Sequence, residues 1–276
     1  MYWHDGALHE TPLASFDLSD RGLNLGDGVF DTALSRNGRV FLRQAHLERF
    51  AAAAKVLAIP FPSAAAAEAL DRLAEAIGDG AVRLTLTRGA GGRGLDLPKD
   101  PKPLFFGAAV PAPPPFPILA LATTAIRRNE TSPAARLKAL PYLDAVLGLE
   151  EARAKGADEA LFLNMQERVA CLASANLFAV FGRRLITPPL ADGVLAGTVR
   201  AFVLGKAASL GLEAVERSLD RPELLHADAL FATSSLKLIA PCRSLEATLF
   251  ASAESEVVRH LRSTLRDAVA AECGSL

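Results

Sequence analysis

The chain has 276 residues, 50% of them hydrophobic and 22% charged, with 30 basic against 31 acidic side chains and a formal net charge of -1. That apolar fraction and charge balance exclude a disordered chain, and at roughly 150 residues per domain the length predicts one large domain or two ordinary ones. A pI near 6.5 lacks the basic excess of a phosphate-backbone binder, so no nucleic-acid partner is expected.

Cys171, Cys242 and Cys273 are odd in number, far apart and form no CxxC pair. A disulfide framework or zinc site is therefore disfavoured, and a reducing cytoplasm is the expected compartment. The opening MYWHDGALHETPL has no basic region followed by an apolar run, so no signal peptide is expected.

In chain order, Arg39 to Leu42 reads as a short strand after the turn Arg36-Asn37-Gly38, and Ala45 to Leu57 as a helix. Ser63 to Ile77 is a second helix, opened by Ser63 and stopped by Gly78. Ala81 to Thr87 alternates Val, Leu, Leu with Arg, Thr, Thr, the pattern of a half-buried strand. The run PAPPPFP, residues 111–117, predicts a stiff linker and a domain boundary, giving an α/β domain over 1–110 and a second domain over 118–276. The longest apolar stretch, Ala108 to Ile126, contains five prolines and cannot span a membrane as a helix. Beyond the linker, Ile118 to Thr124 reads as a buried strand and Pro141 to Lys155 as a helix closed by Gly156. Short strands follow at Ala160 to Asn164, Arg168 to Leu172, Asn176 to Phe181 and Arg184 to Thr187. A helix over Thr198 to Ser209, strands near Ala214 to Arg217 and Ala229 to Thr233, and a helix from Glu254 to Ala271 complete the chain.

Lysine is scarce, seven against twenty-three arginines. Lys55, Lys99, Lys102, Lys155 and Lys206 occupy ordinary solvated positions. Lys138 lies in Arg136-Leu137-Lys138-Ala139-Leu140-Pro141-Tyr142, with apolar neighbours, just before a helix. An amine pressed into apolar surroundings loses charge stabilisation and becomes a nucleophile able to form a Schiff base; alternatively it snorkels to water. Gly193 to Arg200 is a glycine-containing turn that opens a helix, either a phosphate seat on free N–H groups or an ordinary N-cap by Thr198. Thr233-Ser234-Ser235 adds hydroxyls that suit the same anion. Thr87 to Gly94 follows a strand, but Pro98 and Pro101 replace the helix a dinucleotide fingerprint requires. Its Arg88 and Arg93 suit a substrate carboxylate, or face solvent. The five histidines show no metal-ligand spacing, no GxSxG elbow exists, and His46 reads as structural.

Taken together, Asp20-Arg21-Gly22, Gly26 to Thr32, His46-Leu47-Glu48-Arg49, Leu137-Lys138 with Tyr142-Leu143, Ala175 to Phe178, Thr187 to Leu190 and Gly193 to Arg200 occur in the order seen in the class IV, fold-type IV pyridoxal-phosphate enzymes. That family holds branched-chain and D-amino-acid aminotransferases and 4-amino-4-deoxychorismate lyase. The resemblance covers nearly the whole chain. It implies a mixed α/β fold: a small N-terminal domain, a larger C-terminal domain with a barrel-like sheet, a cofactor cleft between them, and a cytoplasmic homodimer without nucleic-acid, membrane or metal partners. It also implies that Lys138 carries pyridoxal 5'-phosphate as a Schiff base and shuttles a proton. By the same resemblance Arg49 grips the phosphate, Tyr142 lies near the ring oxygen, and Asn176, Gly197, Thr198, Val199, Ser234 and Ser235 line the cofactor site. Thr32, Arg88 and Arg93 are the candidate substrate contacts.

Two positions depart from the family pattern. Where relatives carry Val-x-Glu, with a glutamate pairing the pyridine nitrogen, this chain reads Val169-Ala170-Cys171. A neutral partner makes the ring a poorer electron sink. Val199 replaces a threonine whose hydroxyl helps bind phosphate. The expected function is amino transfer between a small amino acid and a 2-oxo acid. Alternatives are aminodeoxychorismate lyase, toward which Arg88 to Gly94 leans, and a cofactor-binding homologue with little turnover.

Overall fold

The structure, a computed structural model, describes residues 1–92 and 94–274. The chain divides into two units: Met1–Pro113, Leu137–Pro141 and the chain from Val269 form one, and Pro114–Arg136 with Tyr142–Ala268 the other.

The first unit contains β1 (Tyr2–His4), β2 (Ala7–His9), α1 (Arg21–Leu25), β3 (Gly28–Arg36), β4 (Arg39–Val40), α2 (Arg43–Val56), α3 (Ser63–Ile77), β5 (Gly80–Thr87) and β6 (Leu104–Val110). Its strands form an antiparallel sheet in the order β2-β1-β6-β5-β3-β4. Helices cover one face of it. α3 buries Ala66, Ala69, Leu70, Leu73 and Ala74 at helical spacing and stops at Gly78, whose φ is 66°. These side chains share a core with Phe50, Ala53 and Ala54 of α2 and with Val29, Ala33, Val82, Leu84 and Leu86 of the sheet. The register pairs Asp31 with Leu84 and Thr32 with Arg83, so alternation puts Asp31 on the helix-covered face and Phe30, Thr32 and Arg83 on the other.

The second unit contains β7 (Leu119–Arg128), α4 (Leu143–Ala154), β8 (Glu159–Asn164), β9 (Val169–Leu172), β10 (Asn176–Phe181), β11 (Arg184–Thr187), α5 (Thr198–Ala207), β12 (Glu213–Glu216), α6 (Arg221–Leu224), β13 (Ala229–Ser234), β14 (Leu238–Leu245) and β15 (Thr248–Leu249). α7 (Glu256–Cys273) follows and ends in the first unit. The curled mixed sheet runs β12-β11-β10-β13-β14-β7-β8-β9, with β15 on β14. Its two faces differ in side-chain size. Leu119, Leu121, Leu161, Leu163 and Leu172 fill one core, whereas Ala120, Ala122, Ala160, Phe162, Ala170, Cys171 and Ala173 lie on the other face, with Ala145 and Ala152 of α4. Alternating large and small residues along one strand thus decide which face takes the helix.

Three findings depart from the sequence reading. The chain alternates between units, because Leu137–Pro141 belongs to the first unit although it follows the proline-rich run. β3 and β6 pair along the length of β5, yet the sequence pattern predicts neither: β3 mixes Asp and Ser with apolar residues, and its burial on both faces hides the period-2 signal. β14 contains Pro241, normally evidence against a central strand, but its pairing with β7 begins only at Cys242, where the register is irregular. Among the described residues no helix is long and apolar enough to cross a membrane.

Candidate active site

In the first unit the site starts from backbone pairing. Phe30 N–H donates to the Lys138 carbonyl at 2.9 Å, Leu140 N–H donates to the Gly28 carbonyl at 3.0 Å, and Val29 bridges Ala139. Lys138 is thereby laid along β3. This approach explains two glycines of the Gly26-Asp27-Gly28 motif: a Cβ at Gly26 would meet Pro141 Cγ at 2.6 Å, and one at Gly28 would meet Leu140 Cδ1 at 2.7 Å. Gly26 also has φ 68°, a left-handed value that glycine adopts without strain.

The Lys138 ammonium lies 4.6 Å from the centroid of the Phe30 ring, and the Arg83 guanidinium lies 3.7 Å from the same centroid. Burial first, then the neighbouring Arg49 and Arg83 charges, push the Lys138 pKa down to about 8, with Asp31 acting in the opposite sense. Asp31 is buried. It accepts from His46 Nδ1 at 2.6 Å, from Arg49 Nε at 2.8 Å and from Arg49 Nη2 at 2.9 Å. Burial works to raise its pKa, but Arg49 and His46 outweigh it and hold the carboxyl at about 2.

In the second unit, α5 begins at Thr198, and its N-cap residue, Gly197, makes no side-chain capping bond. The N–H groups of a helix start and the positive end of its dipole favour an anion. Asn176 shapes the approach to this helix: its Nδ2 donates to the Leu195 carbonyl at 2.9 Å, and a Cβ at Gly197 would stand 2.0 Å from its Oδ1. Thr198 Oγ1 and Ser235 Oγ are 3.4 Å apart, and the buried Thr233 Oγ1 has no partner. Ser234 Oγ accepts from Lys237 N–H at 3.1 Å and so shapes the turn into β14. Val199 is buried with its side chain in the core.

Cys171 is buried on the alanine-rich face, where half-buried Tyr142 also packs. Burial raises its pKa, against the pull of the Arg128 guanidinium that hydrogen-bonds it, so at neutral pH it is an uncharged thiol. Arg128 in turn lies 5.0 Å from the Phe162 ring centroid.

The candidate residues thus form two sets. Thr32, Arg49 and Lys138 belong to the first unit; Tyr142, Cys171, Asn176, Gly197, Thr198, Val199, Ser234 and Ser235 to the second. Arg88 is a correction. It is buried and gives Nε and Nη2 to Asp27 at 2.7 and 3.0 Å, Nη1 to the Ala58 carbonyl and Nη2 to the Leu57 carbonyl. Its donors hold the loop, not a substrate carboxylate. Arg93 lies outside the described residues. Sequence reading missed Phe30, Asp31, Arg83 and Arg128. The alternation over Ala81 to Thr87 already puts Arg83 on the polar face, but only strand register brings it over Phe30. Among the described residues no group of His, Cys, Asp and Glu could hold a metal ion.

The amino-transferase class IV profile matches residues 28–245. A Methanocaldococcus jannaschii protein named for branched-chain-amino-acid aminotransferase activity is 33% identical over 266 residues, 92% of this chain and 91% of its own. The crystal structure of 4-amino-4-deoxychorismate lyase from Pseudomonas aeruginosa matches with a TM-score of 0.85 at 33% identity, covering 97% of this chain and 98% of that one. A branched-chain aminotransferase from Thermoproteus uzoniensis, solved with norvaline, matches with a TM-score of 0.90 at 27% identity, covering 98% and 95%. With fold, motif order and similarity in agreement over almost its full length, the chain belongs to the class IV aminotransferase family of pyridoxal-phosphate-dependent enzymes, which includes both aminotransferases and aminodeoxychorismate lyases.

Proposed function

We propose that the protein is a pyridoxal-phosphate-dependent aminotransferase that moves an amino group between a small amino acid and a 2-oxo acid. The observation that carries this reading is the Lys138 amine, held on the Phe30 ring with its pKa lowered to about 8. A tenth or so of such an amine is neutral at one pH unit below that value, far more than of an exposed lysine.

The donor set fits pyridoxal phosphate. The start of α5 supplies N–H groups for a phosphate, Gly197 lets the Asn176 side chain pack directly against that helix start, and the orphaned Thr233 Oγ1 stands beside Asn176 in the strand pairing. In this reading Gly197, Thr198, Val199 and Ser235 hold the phosphate through backbone and hydroxyl groups. The cofactor supplies an aldehyde that condenses with an amine and a ring that draws electrons from the substrate α-carbon. Lys138 gives up and takes back the proton at its Nζ. Arg83 and Thr32, on one face of the sheet, are the contacts proposed for the substrate carboxylate.

Aminodeoxychorismate lyase activity is the second reading, favoured by the similarity to the Pseudomonas aeruginosa enzyme. Purified protein loaded with pyridoxal phosphate is incubated with amino donors and 2-oxo acids, and separately with aminodeoxychorismate. Amino transfer abolished by Lys138→Ala supports the first reading. Release of pyruvate and 4-aminobenzoate without transfer to any acceptor replaces it with the second. Cofactor uptake without turnover of either kind leaves a binding protein, the outcome toward which the neutral Cys171 and Val199 lean. A cytoplasmic homodimer belongs to the same reading, and light scattering on the purified protein tests the dimer.

A further inference from the structure

Lys237 is the lysine to which the sequence reading gives no place. It lies in the turn between β13 and β14, where its N–H donates to Ser234 Oγ at 3.1 Å. Its side chain leaves that turn and meets another. Nζ donates to Ser174 Oγ at 2.6 Å and to Glu159 Oε2 at 3.1 Å, and Ser174 Oγ donates to the same Glu159 oxygen at 2.8 Å. The three groups close a ring of hydrogen bonds. Glu159 is buried at the start of β8, and alternation puts it on the leucine-lined face with Leu161 and Leu163. Its Oε1 has no partner among the described residues, so Lys237 and Ser174 are what compensates this buried carboxylate.

The turns joined in this way carry the two sides of the α5 start. β10 and β13 pair antiparallel with Asn176 opposite Thr233, so the residues before Asn176 and those after Thr233 leave the sheet at one end. From the first turn, Asn176 Nδ2 donates to the Leu195 carbonyl at 2.9 Å and its Oδ1 lies against Gly197. From the second, Ser235 Oγ lies 3.4 Å from Thr198 Oγ1. Ser174 stands two residues before Asn176, and Lys237 two residues after Ser235. With a single residue between tie and contact on each side, the chain has few soft dihedrals in which a shift could be absorbed.

We propose that Lys237 is a positioning residue for the anion site at the start of α5: through Glu159 and Ser174 it fixes the turn bearing Ser235 relative to the turn bearing Asn176. This rests on the reading of that helix start as the seat of the cofactor phosphate. A tie that only closes the end of the leucine core would share the same bonds. Removing it would lower stability and leave recognition of a phosphate alone.

The test titrates the full chain and its Lys237→Met, Lys237→Arg and Ser174→Ala variants with pyridoxal 5'-phosphate and, separately, with pyridoxal, which offers the same aldehyde without the phosphate. The ratio of the two dissociation constants, followed by absorbance, reads the phosphate site. Lys237→Met is expected to lower the preference for the phosphate ester by about tenfold, the equivalent of one hydrogen bond to a charged group. Ser174→Ala should lower it less, and Lys237→Arg, which keeps a cationic donor, should restore most of it. A wild-type preference in folded Lys237→Met overturns the proposal, whatever its melting temperature. If Lys237→Met does not fold, Ser174→Ala, which leaves Glu159 paired with Lys237, decides by the same criterion. A second measurement needs no cofactor. Hydrogen exchange of the Asn176 side-chain amide, assigned by its loss in Asn176→Asp, is expected to quicken in the variants relative to the backbone amides that pair β10 with β11. Equal quickening of both is loss of stability alone and overturns the positioning role. A wild-type chain with no preference for the phosphate ester, or no uptake of it, sinks the phosphate reading, and the exchange measurement then still judges the tie.

Discussion

At the residue scale the protein concentrates its unusual chemistry on Lys138. A folded-state pKa of about 8 against 10.5 for a free lysine means that folding disfavours the ammonium. The sign follows directly. Below about pH 8 both states are protonated and the folded state bears the full penalty, and the penalty fades as the pH rises toward 10.5. Lys138→Met should therefore stabilise the cofactor-free protein at neutral pH by roughly 3–4 kcal/mol, at about 1.4 kcal/mol for each tenfold change in proton affinity, read as a higher denaturation midpoint. The same titration predicts that the rate of pyridoxal phosphate uptake climbs with pH and levels above about 8, because only the neutral amine condenses. A flat profile across neutral and mildly alkaline pH would contradict the assignment. Cys171 poses a different question. As an uncharged thiol bonded by Arg128, it brings no negative charge to its surroundings. Cys171→Glu would place a carboxylate against that guanidinium.

At the scale of elements, close packing is concentrated where helices meet sheets. α4 lies over the alanine-rich face of β7 and β8, and a Cβ at Gly148 would stand 2.3 Å from Cζ of the buried Phe162. Phe162 has no exposure through which to move aside. Gly148→Ala gains helix propensity worth about 1 kcal/mol and loses about 1–3 kcal/mol to overpacking. The expected net result is a destabilised protein, and Gly148→Ala combined with Phe162→Leu should recover part of the loss. Thermal melts of the single and double variants measure both. The helix itself is legible from its apolar spacing and from Gly156, but its glycine contact is not, since the partner ring comes from the following strand.

At the scale of the whole molecule, a near-neutral net charge coexists with buried ion pairs. Asp31 is one of their carboxylates, with its pKa held at about 2 against 3.8 when unfolded. Its contribution, roughly 2 kcal/mol, is present above about pH 4 and lost as the pH falls through about 2. Asp27, which accepts from Arg21 and Arg88, also has its pKa lowered, so acid should weaken the loop it anchors. Stability measured by urea midpoint should thus fall as the pH drops from about 5 to about 2, with a shallower fall in Asp31→Asn. The three cysteines are buried and free, so reducing agent should leave the same midpoint unchanged.

Much of the protein is legible in its residues alone. α3, β10 and β11 fall where the sequence predicts them, and Lys138, Gly197 and Thr198 stand out by their neighbours. Local periodicity, turn residues and motif order carry that information, because they depend on contacts within a few residues. What tertiary structure alone decided is long-range. It removed Arg88 from the substrate contacts by pairing it with Asp27 and set Arg83 over Phe30 through strand register. It also drew Leu137–Pro141 into the first unit and locked Asp31 to His46 and Arg49. Each of these depends on charges and hydrogen bonds between residues far apart in the chain, and no spacing rule encodes which donor a buried carboxylate will meet.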